Sequence, residues 1–336
     1  MLPSRCTLLA LVLASTTAAS SGDRSSNFQN CVVGCSANIC QSSSTLPSAL
    51  QITRWTCTDN CKYNCMHAIT DQAIQQGDHI EQYYGKWPFW RLGGMQEPAS
   101  VAFSLLNLWC YARGAREVRQ RIPDEHPMKS YYFTWSLVGV NAWIWSSVFH
   151  TRDLPLTEKL DYFSAALAIG YGLYYTVIRH FHLYPRRDGL VMTSTSSTRL
   201  LNLAWSLFCI LVYVAHISYL TLLPRFDYAY NMAFNLTVGL SHNAFWLLYA
   251  LPVSMSLFQR FPSKPKSYRP ANASKAALFV ALTTAATALE LLDFPPWARM
   301  IDAHSLWHLS TAPIAMFWFH FLVDDALDDG WRGHKA

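Results

Sequence analysis

His304 and His308 lie four residues apart in Asp302-Ala303-His304-Ser305-Leu306-Trp307-His308. On a helix that spacing puts both imidazoles on one face, within reach of one metal ion. Ser146 and His150 repeat the spacing in Trp145-Ser146-Ser147-Val148-Phe149-His150. A third nitrogen from His150 would complete a three-histidine zinc set with one position left for water. Asp161 stands at the start of another apolar stretch. An ionisable group placed there is costly and needs a reason. Together these residues suit metal-assisted hydrolysis. Zinc lowers the pKa of a bound water to about 7. Asp161 would move the water proton to the leaving oxygen, and Ser146 would donate to the developing oxyanion or to the water. A covalent role for Ser146 stays open but is weaker, because no base other than a metal ligand is expected beside it.

The remaining histidines carry no such pattern. His216, His242 and His320 are read as structural, and His180 and His182 sit in a basic stretch and are expected to face lipid headgroups. Glu97 and Asn107 either brace the site from behind or are simply a helix-end carboxylate and an interhelical asparagine.

The elements that hold these residues are apolar. Charged residues are only 14% of the chain, against about 25% in soluble proteins. That is too little charge to cover a soluble surface of this size. Seven apolar segments approach spanning length: 98–112, 131–149, 160–178, 200–223, 229–258, 276–292 and 306–323. The fifth is expected to break at Pro252. The expected fold is therefore an all-α membrane protein, a seven-transmembrane-helix bundle.

Orientation follows from the loops. Arg113, Arg116, Arg119, Arg121 and Lys129 lie after the first segment, and Arg179, Arg186, Arg187 and Arg199 after the third. Arg260, Lys264, Lys266, Arg269 and Lys275 follow the fifth, and Arg332 and Lys335 the last. The opposite loops hold only Arg152, Lys159, Arg225 and Arg299. The basic side should be cytosolic. Ser146, His150, Asp161, His304 and His308 then fall at the same membrane depth on the lumenal side. Basic residues spread through short loops give no reason to expect a nucleic-acid partner. The sequon at Asn272 falls on the cytosolic side and that at Asn235 inside a helix, so neither should carry a glycan.

The N-terminus reads as a signal peptide over residues 1–21, with Arg5 ahead of a short apolar run and Ala18, Ala19 and Ser20 near the cleavage site. A small lumenal domain follows over 22–95. It contains Cys31, Cys35, Cys40, Cys57, Cys61 and Cys65. An even cluster behind a signal peptide implies three disulfides, with 15 possible connectivities. A zinc knuckle is the weaker alternative, because the tight two-residue spacing is missing. Two helical hairpins stapled by cysteines would suit the spacing. The transmembrane hydrolase domain covers 96–325, and a cytosolic tail 326–336.

The Ser-x3-His, Asp and His-x3-His set on seven helices resembles the superfamily that joins alkaline ceramidases, adiponectin-type receptors and Per1-like proteins. The Per1-like family is the better match. Tyr84-Gly85-Lys86-Trp87-Pro88-Phe89-Trp90-Arg91, Gln96-Glu97-Pro98-Ala99-Ser100-Val101, Phe103-Ser104-Leu105-Leu106-Asn107 and Cys57-x3-Cys61-Lys62-Tyr63-Asn64-Cys65-Met66 resemble its hallmarks. The resemblance covers essentially the whole mature chain. It implies remodelling of GPI anchors, with zinc-dependent removal of the sn-2 acyl chain from the lipid of GPI-anchored proteins. It also implies residence in the endoplasmic reticulum membrane, with the Golgi membrane as alternative. A zinc-containing receptor, another lipid amidase or esterase such as a ceramidase, and a metal transporter are the competing expectations.

Overall fold

A computed structural model describes residues 20–41, 45–188, 191–193 and 195–331. Nearly all of the predicted signal peptide and the end of the tail, with Arg332 and Lys335, lie outside the described residues.

The N-terminal part is a stapled pair of helices. Helix α1 (Ser26–Ile39) starts at Ser25, whose hydroxyl accepts from Phe28 N at 3.3 Å. A short α2 (Ser48–Ile52) leads to α3 (Cys57–Gln76). A capping box of Thr56 and Asp59 opens α3, and Gly77 at φ 74° closes it in the left-handed conformation that glycine tolerates best. Cysteines four apart face one way on each helix, so α1 and α3 are joined rung by rung: Cys31–Cys65, Cys35–Cys61 and Cys40–Cys57. There is one hairpin here, not the two expected. All six sulfurs are consumed between α1, with Cys40 just past its end, and α3, which leaves none to staple a second. Phe28, Cys65 and Tyr83 form a core too small to hold the fold by burial alone.

Seven long helices follow: α4 (Pro98–Arg121), α5 (Lys129–Thr151), α6 (Pro155–His180), α7 (Ser196–Leu222), α8 (Tyr228–Ala250), α9 (Ala273–Glu290) and α10 (Ala303–Ala326). A ribbon of β1 (Arg186–Asp188) and β2 (Val191–Thr193) joins α6 to α7. Each predicted apolar segment lies within or nearly coincides with one helix. The first is longer than its apolar run, because Arg113 to Arg121 continue the helix. The fifth ends at Ala250, just before Pro252, as a missing N–H and a clashing ring require.

Two of these helices, Ser196–Leu222 and Ala303–Ala326, are long and apolar enough throughout to cross a membrane. They differ in surroundings. Helix α10 is packed among α4 and α9. Helix α7 lies at the edge, with Leu200, Leu201, Leu207, Phe208, Ile210 and Leu211 at least half exposed. An apolar patch of that extent is unstable against water and is at rest against hydrocarbon.

Between the ends the bundle is filled by aromatic rings. Trp135, Tyr175, Trp246, Phe279, Trp318 and Phe321 interlock in stacked and edge-on pairs. Gly114 and Gly139 give close approaches: a methyl there would meet Phe319 at 2.3 Å and Tyr111 at 2.1 Å.

One end of the bundle holds a buried ion pair. Arg179 of α6 grips Asp325 of α10 with Nε to Oδ2 at 2.9 Å and Nη2 to Oδ1 at 3.0 Å. Tyr249 donates to Asp325 at 2.6 Å, and Arg179 Nη1 donates to the Arg260 carbonyl at 2.7 Å. His180 is buried here rather than facing headgroups. It packs edge-on against Trp246 and Phe258, because the segment after α8 folds beneath it.

Candidate active site

The other end gathers the residues singled out above. Helix α10 begins at a capping box in which Asp302 Oδ1 accepts from Ser305 N at 2.9 Å and Ser305 Oγ accepts from Asp302 N at 2.9 Å. This fixes His304 in the first turn and His308 one turn on. Helix α5 delivers His150 in its last turn. The Glu97 N–H donates to the His150 carbonyl at 3.0 Å, which ties the entry of α4 to the end of α5.

The three imidazoles point their Nε2 atoms at one another. His304 Nε2 is 3.3 Å from His150 Nε2 and 2.9 Å from His308 Nε2. A tetrahedral zinc site with bonds of about 2.0–2.1 Å requires nitrogen separations of about 3.3 Å. The backing groups decide what these nitrogens carry. His150 Nδ1 lies 2.8 Å from Glu97 Oε2, and His304 Nδ1 lies 2.8 Å from Glu290 Oε2. A carboxylate only accepts, so each Nδ1 bears the hydrogen and, in the neutral ring, each Nε2 is a bare lone pair. Converging lone pairs repel. A proton can bridge one such contact, whereas a metal ion satisfies all three nitrogens at once. The residues present therefore fit a metal.

His308 is backed differently. Its Nδ1 is 3.2 Å from Ser104 Oγ, and Ser104 is 3.0 Å from Ser146 Oγ. With His308 in the same tautomer, Nδ1–H donates to Ser104 and Ser104 donates to Ser146. The Ser146 hydrogen is then not used by Ser104. Asn107 fixes the backbone beneath, donating to the His308 carbonyl at 2.7 Å and accepting from Thr311 at 3.2 Å. Ser104 and Asn107 are fully buried, and Ser146, His150 and His308 are nearly so. The rings of Trp143 and Trp307 flank His308, 5.3 and 5.0 Å away, and exclude water from that side.

Asp161 stands apart from the other carboxylates. It lies on α6, interacts electrostatically with His150 and His304, and hydrogen-bonds to no side chain among the described residues. Glu97 and Glu290 are occupied by imidazoles, so Asp161 is the carboxylate with lone pairs to spare.

The structure thus brings together Ser146, His150, His304 and His308, with Asp161 at their edge. It places Glu97 and Asn107 behind them. Sequence reasoning missed Ser104 and Glu290. Ser104 lies three residues before Asn107 on the same face, a usable signal. Glu290 lies at the far end of a different helix, and no local spacing points to it. The three rival cysteine ligands Cys40, Cys57 and Cys61 are all bound in disulfides.

The cysteine-rich hairpin docks at this same end. Arg299, between α9 and α10, donates to His67 Nδ1 at 2.9 Å and to Asp71 at 2.6 Å. His67 Nε2 faces the Phe89 carbonyl at 3.1 Å, and its ring stacks on Trp90 at 3.9 Å. Burial and the Arg299 charge outweigh the Phe89 bond and hold its pKa down at about 4. Trp87 Nε1 reaches Asp293 at 2.7 Å, and Arg152 reaches Asp59 at 2.8 Å.

A helical bundle with three carboxylate- and serine-backed histidines at one end defines a class: helical proteins with a metal-competent histidine cluster at one end of the bundle. The chain belongs to the Per1-like family, whose model matches residues 47–326. It is 40% identical over 332 residues to the PER1 homolog of Schizosaccharomyces pombe, across 96% of this chain and 92% of that protein. It is 38% identical over 325 residues to the GPI-specific phospholipase A2-like PGAP3 of Xenopus laevis, across 95% and 94%. The human protein of the same name is 36% identical over 320 residues, across 94% and 92%. No solved structure matches this chain.

Proposed function

We propose that this chain remodels GPI anchors, hydrolysing the sn-2 acyl ester of the lipid on GPI-anchored proteins. The relatives named as GPI-specific phospholipase A2-like proteins supply the substrate class. The observation that carries the chemistry is the convergence of three Nε2 atoms whose Nδ1 atoms are held from behind.

His150, His304 and His308 would hold a zinc ion, which when bound polarises an oxygen and makes water acidic enough to deprotonate near neutral pH. Glu97, Glu290 and Ser104 keep the imidazoles in the ligating tautomer. Asp161 accepts the proton of the attacking water and passes it to the lyso-lipid oxygen as the acyl C–O bond breaks. The fatty acid leaves with the hydroxyl. Ser146 donates its free hydrogen to the oxyanion that forms on the carbonyl.

Seven membrane spans fit this role. The exposed apolar face of α7 suits hydrocarbon around it, and the alternation of the long helices favours a reading with His150, Asp161 and His304 at the end opposite the basic loops. With basic loops in the cytosol, the site opens to the lumen of the endoplasmic reticulum or Golgi, beside the leaflet that carries GPI lipids. The signal peptide over 1–21 and the cytosolic tail complete that orientation. The packed aromatic layer across the bundle speaks against a metal-transit path. The short basic loops speak against a signalling receptor.

Lipid analysis of GPI-anchored proteins from cells lacking this chain tests the assignment. The sn-2 acyl chain should persist there and disappear on re-expression. An unchanged sn-2 chain would remove the GPI reading while leaving a hydrolase.

A further inference from the structure

Lys86 lies in the cysteine-rich domain, yet its ammonium ends in the histidine site. It bonds to Glu97, reaches Asp153 at 3.1 Å, and sits 4.3 Å over the Phe149 ring, next to His150. Burial would pull this ammonium down, but Glu97 and Asp153 outweigh it and keep it charged above the usual lysine range. Glu97 is shared: Oε1 takes Lys86 and Oε2 takes His150 Nδ1 at 2.8 Å. A buried carboxylate with one imidazole as its only partner is free to rotate. With a cation on the other oxygen it keeps one orientation.

The turn that carries Lys86 is itself anchored. Tyr83 N donates to the Lys86 carbonyl at 2.7 Å, and Lys86 N donates back at 3.0 Å. Tyr84 and Gly85 between them have φ of 53° and 79°, the two left-handed positions of a tight hairpin turn. Gly85 meets that demand without strain. Tyr83 is buried, with its ring 5.0 Å from Phe28 and its side chain in the core formed with Cys65. A continuous path therefore runs from the disulfide-stapled core through Tyr83, the turn, Lys86 and Glu97 to His150.

We infer that Lys86 is a positioning residue for the metal centre, and that the cysteine-rich domain completes the histidine site by placing it. This rests on the reading of His150, His304 and His308 as metal ligands. The domain is then part of the enzyme's machinery as well as a cover over one end of the bundle.

The test uses the purified full-length chain in detergent, with zinc as the probe. Zinc affinity is measured by chelator competition for wild type, Lys86→Met, Lys86→Arg and Asp71→Asn. Asp71→Asn weakens the docking of the domain through Arg299 without touching Glu97. Lys86→Met should weaken zinc binding by about 10–100-fold, the usual loss when a backing group is removed. Lys86→Arg should restore most of it, because a guanidinium can still bond Glu97. Asp71→Asn should bind zinc as wild type does, and thermal unfolding of the zinc-free proteins should be similar for Lys86→Met and Asp71→Asn. Wild-type zinc affinity in Lys86→Met overturns the inference and leaves the metal site standing. So does an equal loss in Asp71→Asn, which would make the effect one of docking. Absence of zinc binding in the wild type overturns both the inference and the metal reading beneath it.

Discussion

At one end of the bundle Arg179 and Asp325 face each other; at the other, three imidazoles do. The ion pair is fully buried, as are His150 and His308, while His304 is partly exposed; both clusters sit among aromatic rings. The difference lies in where their partners come from. Arg179 finds a carboxylate, a backbone carbonyl and the rings of Phe261 and Trp331, 4.7 and 4.6 Å away. Asp325 takes Arg179 through both oxygens and Tyr249 besides. The guanidinium and both carboxylate oxygens are answered by the chain itself, although His180 Nε2 and the Tyr132 hydroxyl at this end are buried without a hydrogen bond among the described residues. At the histidine end the Nδ1 atoms are answered and the Nε2 atoms are aimed at each other. The first arrangement stabilises one packing of the helices. The second holds donor atoms ready for something the chain does not provide, which separates a site from a structural network.

Substitution should split the two ends cleanly. His304→Ala and His308→Ala should each lower acyl release by roughly 1000-fold or more, since several kcal/mol of charge stabilisation vanish with the ligand set. Both variants should still reach the membrane; His308→Ala should resist heat about as well as the wild type, because it strands no charge, whereas His304→Ala leaves the partly buried Glu290 without its imidazole partner and should lose some heat resistance. Activity on a GPI lipid substrate and thermal unfolding in detergent make the comparison. Full activity in either variant would end the metal reading.

Arg179→Met should behave in the opposite way. It strands Asp325, and breaking a buried pair on one side costs about 3–5 kcal/mol. Yield and thermal stability should fall, while correctly folded molecules retain activity per molecule. The double variant Arg179→Met, Asp325→Leu should recover much of the stability, because the orphaned charge is gone. If the double variant is no more stable than the single, the cluster is more than a satisfied pair.

The two ends were unequally legible in the sequence. Helical spacing alone exposed the histidine pair, the Ser146–His150 pair and the cysteine face of each helix, because each set lies on one helix; it left the pairing between α1 and α3 open among 15 connectivities. The seven apolar segments placed the seven helices of the bundle, and Pro252 placed a helix end. Arg179 and Asp325 were visible only as charges at helix ends, since 146 residues separate them and helix packing alone pairs them. Glu290 and Lys86 were hidden for the same reason. His180 was misplaced because a basic neighbourhood in sequence became a buried aromatic one once the segment after Ala250 folded back. Local periodicity reports which residues share a face; it does not report which faces meet.

The comparison can be narrowed to a single residue type. His67 is as buried as His150 and His308, yet both its nitrogens are answered by protein: Arg299 donates to Nδ1, so Nε2 carries the hydrogen and donates to Phe89. Its pKa falls from 6.5 to about 4, first through burial and then through the Arg299 charge. In the unfolded chain the ring protonates near 6.5. The stabilisation is therefore complete above that pH and is lost as pH falls from about 6.5 towards 4. The slope approaches about 1.4 kcal/mol per pH unit for one proton. Protonation would set a second cation against Arg299 and release the hairpin from the loop between α9 and α10. His67→Gln can keep both hydrogen bonds without titrating. Protease sensitivity of the cysteine-rich domain, followed from pH 7 to 4, should rise in the wild type and rise less in His67→Gln. Equal pH dependence in the two would show that this histidine does not carry the acid response.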